Sequence, residues 1–503
     1  DKSLEIIIGI LGILKSGAAY VPIDPSYPDE RIRYILDDTQ VSLLLTQSHY
    51  LSRLKMMTNS QLIPLDSNSY KGFPFDNLLP QNTSHDLAYV IYTSGTTGQP
   101  KGTCITHQNL NNLIMVQREK LNINETSRFL QFSSISFDAS VWEIFSALSF
   151  GARLYVISNT TKINPEHLNQ YIFKHQINTA LLPPPILKVL STGTLDCLQY
   201  LLTGGEACSY STMTKWSVNR NFINAYGPTE ITVCATMHDY NNTSLYNNIG
   251  KPLNNAKCYV VDRYSQPVPI GVVGELYIGG AGVACGYLNK PELTAEKFIT
   301  NPFATEEDKQ KGYDRLYKTG DLVRWLPDGN LEYIGRKDTQ VKIRGFRIEL
   351  GEIENALINI EGIDQAVVMM RMVNDDQHLF AYYVASYAIT PKTVLDRLTS
   401  KLPHYMVPSA ALQIDKIPLT INGKIDVKAL PDIVFSSHQT YIAPTTEQQR
   451  LICQAFLSVL LIEKVGIDDD FFTLGGNSIK AIQLAVTLQA NFDIAVSEIF
   501  DLR

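Results

Sequence analysis

The chain has 503 residues, is 45% hydrophobic and 18% charged, and carries a formal net charge of −7. That length exceeds one hydrophobic core and predicts two to four domains. The acidic balance argues against nucleic acid as a partner. Seven scattered cysteines without a CxxC pair argue against a zinc site or disulfide framework and fit a reducing, cytoplasmic setting. The longest apolar run, Ile6 to Leu14, is too short to span a bilayer, and no signal peptide precedes it.

In chain order, Ser3 to Lys15 reads as a buried helix, with Ser3 as N-cap and Gly17 as its stop. Ala18 to Val21 runs extended into Pro22, then a helix from Asp29 to about Asp38 precedes a strand from Val41 to Leu45. Leu87 to Ile91 is apolar and rich in β-favouring residues, so it reads as a short buried strand. It feeds the segment from Tyr92 to Gly102, YTSGTTGQPKG. There Gly95, Gly98 and Gly102 let the backbone turn sharply and come close to a ligand. Hydroxyls and free N–H groups beside Lys101 suit a polyanion such as a nucleotide triphosphate. A plain surface loop of small polar residues reads the same composition equally well. The spacing is not that of a Walker A loop.

Strands and helices alternate to about residue 240, the pattern of an α/β domain with a largely parallel sheet. From about Lys257 short alternating segments take over: Cys258 to Val261, Gly274 to Ile278 and Leu331 to Ile334, a small mostly β subdomain. Gly335 to Asp338 is a charged turn and a candidate hinge. Residues 340–430 form a smaller α+β unit, Pro431 to Pro444 a linker, and Glu447 to Leu461 a helix. Ser478 opens another helical pattern.

Several polar stretches lie in turns between apolar segments. Asp138 stands among Ile135, Val141 and Trp142; a lone acid there either caps the helix Ala139 to Leu148 or meets a ligand cation. Glu230, in NAYGPTE, suits a magnesium ion or is simply a solvated turn carboxylate. Asp321, in YKTGD, reads as a turn aspartate suited to ribose hydroxyls. Lys342 to Arg347 is a tight basic hairpin or an exposed charged face, and Asn422-Gly423-Lys424 is a hairpin turn. In Gly475-Gly476-Asn477-Ser478 the serine opens a helix, as an accessible hydroxyl or as an N-cap. No histidine lies near it, which weakens a hydrolase reading.

Taken together, the segments LKSGAAYVPIDP (14–25), LAYVIYTSGTTGQPKG (87–102), FDAS (137–140), NAYGPTE (224–230), GELYIGGAGVACGYL (274–288), YKTGDL (317–322), GRKDTQVKIRGFRIELGEIE (335–354), LPHYMVP (402–408), NGKID (422–426) and DDFFTLGGNSIKAIQ (469–483) closely resemble a known pattern. It is that of an adenylation domain followed by a peptidyl carrier domain in nonribosomal peptide synthetases, within the adenylate-forming superfamily. The resemblance runs nearly end to end. It implies an α/β adenylation core with a small β subdomain (1–336), a mobile α+β C-terminal subdomain (337–431), a linker (432–444) and a helical-bundle carrier (445–503). It also implies a missing first segment and a missing last carrier helix, so that the chain reads as a fragment.

The resemblance further implies that ATP is cradled by Thr93, Ser94, Gly95, Thr96, Thr97, Gly98 and Lys101, with Gly205, Asn224, Gly227 and Thr229 nearby. Tyr226 would stack on adenine, Asp321 and Arg336 would hold the ribose, and Glu230 would help hold Mg²⁺. Lys424, Glu230 and Lys101 would be catalytic, with Lys424 bridging the substrate carboxylate and the α-phosphate. Asp138 would pair with the substrate's α-ammonium. Asp338 would be the hinge about which the Lys424 loop and the hairpin exchange places. Ser478 would carry 4′-phosphopantetheine, installed by a phosphopantetheinyl transferase, and neighbouring synthetase domains would be partners.

The selectivity positions match Asp138, Ala139, Trp142, Leu181, Leu202, Gly204, Ala225, Val233, Cys234 and Lys424. With Asp138 and Lys424 the sole charges, they predict a bulky apolar amino acid, leucine first and phenylalanine second; Gly204 and Ala225 leave room and Leu181 and Leu202 give aliphatic walls. Cys285 and Val427 depart from the family pattern, which has a basic residue at each. The alternatives are an acyl- or aryl-CoA ligase of the same superfamily, which has no use for Asp138, and a non-catalytic scaffold remnant.

Overall fold

The computed structural model describes the chain except residues 68–75, 96–97, 194, 241–244, 246, 374–375, 420–424, 433–440, 461, 463, 472–473, 477, 490–491 and 493–503. It falls into two compact units, the larger holding residues 1–95, 99–158 and 169–347 and the smaller built mainly from residue 348 onward.

The larger unit opens with helix α1 (Leu4–Lys15). The predicted helix is there, but only Gly9 and Ile10 are buried, and Ser3 makes no side-chain cap. Its apolar residues run around more than one face, so one side must meet solvent. Helix α2 (Asp29–Thr39) matches its expected span, and the strand after it runs from Leu43 to Thr46.

Strands β1 (Leu87–Thr93) and β2 (Lys101–Thr106) form an antiparallel pair in which Thr93 lies opposite Lys101. Helix α3 (His107–Leu121) follows directly. It is started by a capping box in which Thr106 and Asn109 satisfy each other's backbone N–H groups.

Next come β3 (Arg128–Gln131), α4 (Ala139–Leu148), β4 (Arg153–Val156), β5 (Thr179–Leu181), β6 (Tyr200–Gly204) and β7 (Asn221–Tyr226). Helix α4 spans the residues expected of it. The strands pair in parallel in the order β4-β3-β5-β6-β7. Antiparallel strands then extend the same sheet: β8 (Thr236–Asp239), β9 (Asn248–Pro252), β10 (Ala256–Val261), β11 (Gly274–Gly280), β13 (Arg315–Trp325) and β14 (Leu331–Arg336). Between β11 and β13, the short β12 (Gly286–Tyr287) joins β2 instead.

Beyond β7 the order is β8-β9-β14-β13-β11-β10. The mostly β region is therefore continuous in hydrogen bonding with the parallel strands. One buried cluster, including Tyr89, Ile105, Val141, Ile144, Tyr226, Leu276, Ile278 and Tyr317, spans both. The unit closes on a hairpin, β15 (Val341–Ile343) and β16 (Phe346–Ile348). Its turn residues Arg344 and Gly345 lie at φ 54° and 80°, the left-handed pair of a tight two-residue loop.

In the smaller unit, helix α5 (Leu350–Ile358) lies against β17 (Ile363–Val373), which pairs antiparallel with β18 (Asp376–Ala385). Helix α6 (Pro391–Thr399) and β19 (Ala410–Gln413), parallel to β18, complete the fold around Val367, Phe380 and Tyr382. Helices α7 (Glu447–Leu460) and α8 (Ser478–Gln489) have their own core of Leu460, Phe471, Leu474, Ala481, Leu484 and Leu488. Among the described residues no helix is long and apolar enough to cross a membrane.

Candidate functional site

The glycine-rich loop is built less loosely than its sequence suggests. Gly95 closes a turn so tight that a Cβ there would lie 2.1 Å from the Gln99 carbonyl oxygen, and Gly98 sits at φ +80°. Gly102 corrects the expectation of a turn. It lies inside β2, where a Cβ would come within 2.8 Å of Val90 and 3.0 Å of Tyr92, so glycine serves close packing there. Lys101 likewise belongs to the strand and is buried. The Thr93 hydroxyl is buried without a hydrogen-bond partner, whereas the Ser94 hydroxyl donates to the Arg347 carbonyl at 2.8 Å. Thr96 and Thr97 lie outside the described residues.

Glu230 sits in the 3₁₀ turn Thr229–Ile231 that ends β7, and it is fully buried rather than solvated. Its Oε1 accepts a 2.7 Å bond from the Tyr287 hydroxyl and lies 3.3 Å from Lys101 Nζ. Its Oε2 accepts a 2.6 Å bond from Arg347 Nη1. Burial alone pushes this carboxyl upward, but Arg347 and Lys101, helped by Tyr287, outweigh it and hold the group well below the usual carboxylate range. Arg347 also reaches the Tyr317 hydroxyl at 3.3 Å, and its Nε–H is buried without a partner. The basic hairpin is thus not an exposed charged face: Arg347 keeps only 14% of its side chain accessible.

Asp138 behaves differently. It precedes α4 but makes no capping hydrogen bond. It is half-buried, and burial raises its carboxyl to about 6 despite a hydrogen bond from Thr229. Arg347 draws it down again, by less than burial raises it. An acid held this way gains most from a cation delivered by a ligand.

Asp321 corrects a second turn expectation. It lies within β13, beside Gly320 at φ +74°, and is buried. The Tyr226 hydroxyl donates to it, and Arg336 Nη1 donates at 2.7 Å. Arg336 also holds Asp338 through two 2.6 Å bonds. Two donors leave lone pairs of the Asp321 carboxylate open to a ligand's hydroxyls. Lys342 Nζ stands 5.4 Å from the centre of the Tyr226 ring, and burial lowers its pKa. The Asn224 amide donates to the Asn248 carbonyl at 2.9 Å. Gly205, at φ +85°, faces the Gly345 backbone so closely that a Cβ would lie 3.2 Å from its Cα, and a Cβ on Gly227 would meet Cys234 at 2.5 Å.

Six of the selectivity positions share one apolar cluster: Trp142, Leu181, Leu202, Ala225, Val233 and Cys234. Ala139 opens α4 alongside. Gly204 needs a different explanation from pocket room, because a Cβ there would strike the Ala225 carbonyl oxygen at 2.4 Å. Thr232 and Val233 both adopt positive φ, 56° and 72°, a strained conformation for consecutive β-branched residues.

Three residues carry roles the sequence did not suggest. Tyr287 had a clue in its quoted segment, and Arg347 in its hairpin. Gln117 had none: it is fully buried on α3 and its amide reaches the Cys234 sulfur at 3.4 Å. Lys424 lies outside the described residues, and of Ser478 only its place at the head of α8 is described. Before it, Gly475 sits at φ +90° and Gly476 packs so tightly that a Cβ would lie 2.4 Å from the Phe471 ring.

Comparison with known proteins follows the same lines. The AMP-binding enzyme family matches residues 1–288, the AMP-binding enzyme C-terminal domain residues 352–424, and the phosphopantetheine attachment site residues 450–503. Gramicidin S synthase 1 of Brevibacillus brevis is 45% identical over 496 residues, 97% of this chain and 44% of its own length. Bacitracin synthase 3 of Bacillus licheniformis is 45% identical over 495 residues, 97% of this chain and 8% of its own length. The chain thus spans less than half of either relative. A solved nonribosomal peptide synthetase protein containing adenylation and PCP domains, bound to a vinylsulfonamide inhibitor, matches with a TM-score of 0.81 at 28% identity, over 98% of this chain and 83% of that one.

Proposed function

Because this chain belongs to the AMP-binding enzymes and carries the adenylation and carrier domains of a nonribosomal peptide synthetase module, we propose that it activates a bulky apolar amino acid, leucine ahead of phenylalanine. In the first half-reaction the amino acid's carboxylate oxygen attacks the α-phosphorus of ATP, the bond to the β-phosphate bridging oxygen breaks, and pyrophosphate leaves. In the second, a thiol sulfur attacks the aminoacyl carbonyl carbon, the bond to AMP breaks, and the thiol proton passes to solvent. A phosphopantetheine arm on Ser478 supplies that thiol. The boundaries we propose are 1–336 and 337–431 for the adenylation subdomains, 432–444 for the linker and 445–503 for the carrier.

The observation that carries the reading is Asp138. A half-buried carboxyl raised to about 6 suits an α-ammonium, and an acid substrate without an amino group has no use for it. Around it the apolar cluster of Trp142, Leu181, Leu202 and Val233 disfavours a polar or ionic side chain. The orphaned Thr93 hydroxyl suits phosphoryl oxygens, and the open lone pairs of Asp321 suit a ribose. Glu230 has the hard oxygens magnesium prefers, but both are already engaged, one by Tyr287 and Lys101 and the other by Arg347. Lys424 is assigned to the first half-reaction on family resemblance. Seven free cysteines support a reducing, cytoplasmic setting. Neighbouring synthetase domains and a phosphopantetheinyl transferase are the partners implied.

The test is amino-acid-dependent ATP–pyrophosphate exchange across the twenty amino acids, beside a Lys424→Ala control. Exchange with leucine or phenylalanine, lost in the control, is the expected result. Preference for aspartate, lysine or glycine would refute the pocket assignment, and exchange independent of any amino acid would refute the reaction.

A further inference from the structure

The carboxylate assigned to a metal is already neutralised twice. Glu230 is fully buried, and each of its oxygens meets a cationic side chain, Lys101 at 3.3 Å and Arg347 at 2.6 Å. Two unit positive charges around one negative charge leave a local excess of one. A divalent cation added to that arrangement would bring the excess to three in a region shielded from water, where Coulomb terms are far larger than in solvent.

The two cations differ in how they are held. Lys101 is fixed in β2 opposite Thr93, with its ammonium 4.7 Å from the centre of the Tyr287 ring. Arg347 stands in the second strand of a three-plus-three-residue hairpin and is the last residue of the larger unit before the chain enters the smaller one. Its seat includes the Ser94 bond to its carbonyl, bonds from the Arg344 and Gly345 N–H groups to the Glu206 carboxylate, the edge-on Phe137–Phe346 contact at 5.0 Å and the backbone approach of Gly345 to Gly205. The hairpin's strands bury Ile343 and Ile348, while Val341, Lys342, Phe346 and Arg347 stay half-buried.

We propose that the Arg347 guanidinium and a divalent cation are mutually exclusive partners of the Glu230 carboxylate, so that a metal binds there only when the hairpin withdraws. The proposal rests on the adenylation reading and extends it. With the hairpin seated, the guanidinium occupies the place a metal would take on Glu230; with it withdrawn, that place is open. Arg347 is in this sense a positioning residue that acts through Glu230.

Direct binding tests it. Mn²⁺ is titrated into the full chain saturated with α,β-methylene-ATP and bound metal is counted by electron paramagnetic resonance, for the wild type, Arg347→Gln, Arg347→Lys and the double variant Arg347→Gln with Glu230→Gln. Removing the competitor should tighten Mn²⁺ by about tenfold, the equivalent of about 1.4 kcal/mol, and the double variant should lose that gain. Arg347→Lys, shorter and without the planar fork, should fall between wild type and Arg347→Gln. Arg347→Gln should also melt at a lower temperature in EDTA and recover with Mn²⁺, whereas wild type should barely respond. Unchanged Mn²⁺ affinity in Arg347→Gln, or a gain that survives in the double variant, overturns the proposal. If Arg347→Gln does not fold, the lysine variant decides, and no tightening there overturns it. Wild-type pyrophosphate exchange is measured alongside. Its absence would count against the adenylation reading, while exchange with unchanged metal binding would count against the competition alone.

Discussion

Replacing Asp138 by asparagine should stabilise the protein while disabling it. The carboxyl rises from an ordinary 3.8 to about 6, chiefly through burial. A native state that binds its proton more tightly than the unfolded chain loses stability as pH climbs from below 4 to above 6. At about 1.4 kcal/mol per pH unit, the ionised side chain costs the empty site on the order of 3 kcal/mol at pH 7.5, an upper bound because solvent still reaches part of it. Asparagine keeps the shape and removes that cost, so Asp138→Asn should gain up to ~3 kcal/mol at pH 7.5 and about half as much at pH 5. Urea unfolding followed by tryptophan fluorescence reports the right region, because all three tryptophans, Trp142, Trp216 and Trp325, lie in the larger unit. Exchange should move oppositely, since hydrogen bonds to a charged partner are worth about 1.5–3 kcal/mol, or roughly a hundredfold in kcat/KM for the amino acid. A variant less stable than wild type at pH 7.5, or one with unchanged amino-acid dependence, would refute the reasoning.

The same carboxyl gives a kinetic signature: with a pKa near 6, the ionised fraction drops about tenfold between pH 7 and 5, and KM for the amino acid should rise by that factor. Gly102→Ala forces a methyl within 2.8 Å of Val90 and 3.0 Å of Tyr92; a loss of about 1–3 kcal/mol by urea unfolding is expected. Leu181→Ala trims a partly buried residue of the apolar cluster proposed to hold the substrate side chain and should shift the phenylalanine-to-leucine ratio of kcat/KM upward by about tenfold or more. Ser478→Ala should leave exchange intact and abolish the mass increment on incubation with coenzyme A and a phosphopantetheinyl transferase.

Much of the site was legible because its polar residues sit in local patterns. Helix α4 announced itself through Asp138 followed by an apolar face, and β1 through its unbroken β-favouring run. What escaped has no local signature. Gly102 reads as a turn glycine, yet its cause is a neighbouring strand. Asp321 sits beside a glycine in a stretch that looks like a turn, but Gly320 at φ +74° lets an 11-residue strand continue past a register shift. Arg347 meets Glu230 across 117 residues of sequence, a pairing that periodicity cannot encode. Gln117 looks like any polar residue on a helix surface until the fold buries it against Cys234.

The interleaved strand order also sets a timetable. Strand β13 lies between β11 and β14, and β14 in turn joins β9, so the antiparallel half of the sheet keeps open edges until residue 336 has been made. Glu230 waits longer still for Arg347. At ~5–20 residues per second of synthesis, their separation of 117 residues is an interval of roughly 6 to 23 s. Throughout it the nascent chain presents unpaired strand edges and a carboxylate missing its closest counter-charge, the condition in which holdase chaperones are most useful. The carboxylate contacts that Arg336 and Arg347 complete, on Asp321 and Glu230, therefore appear late and nearly together, after most of the sheet has been made and before the carrier helices are translated.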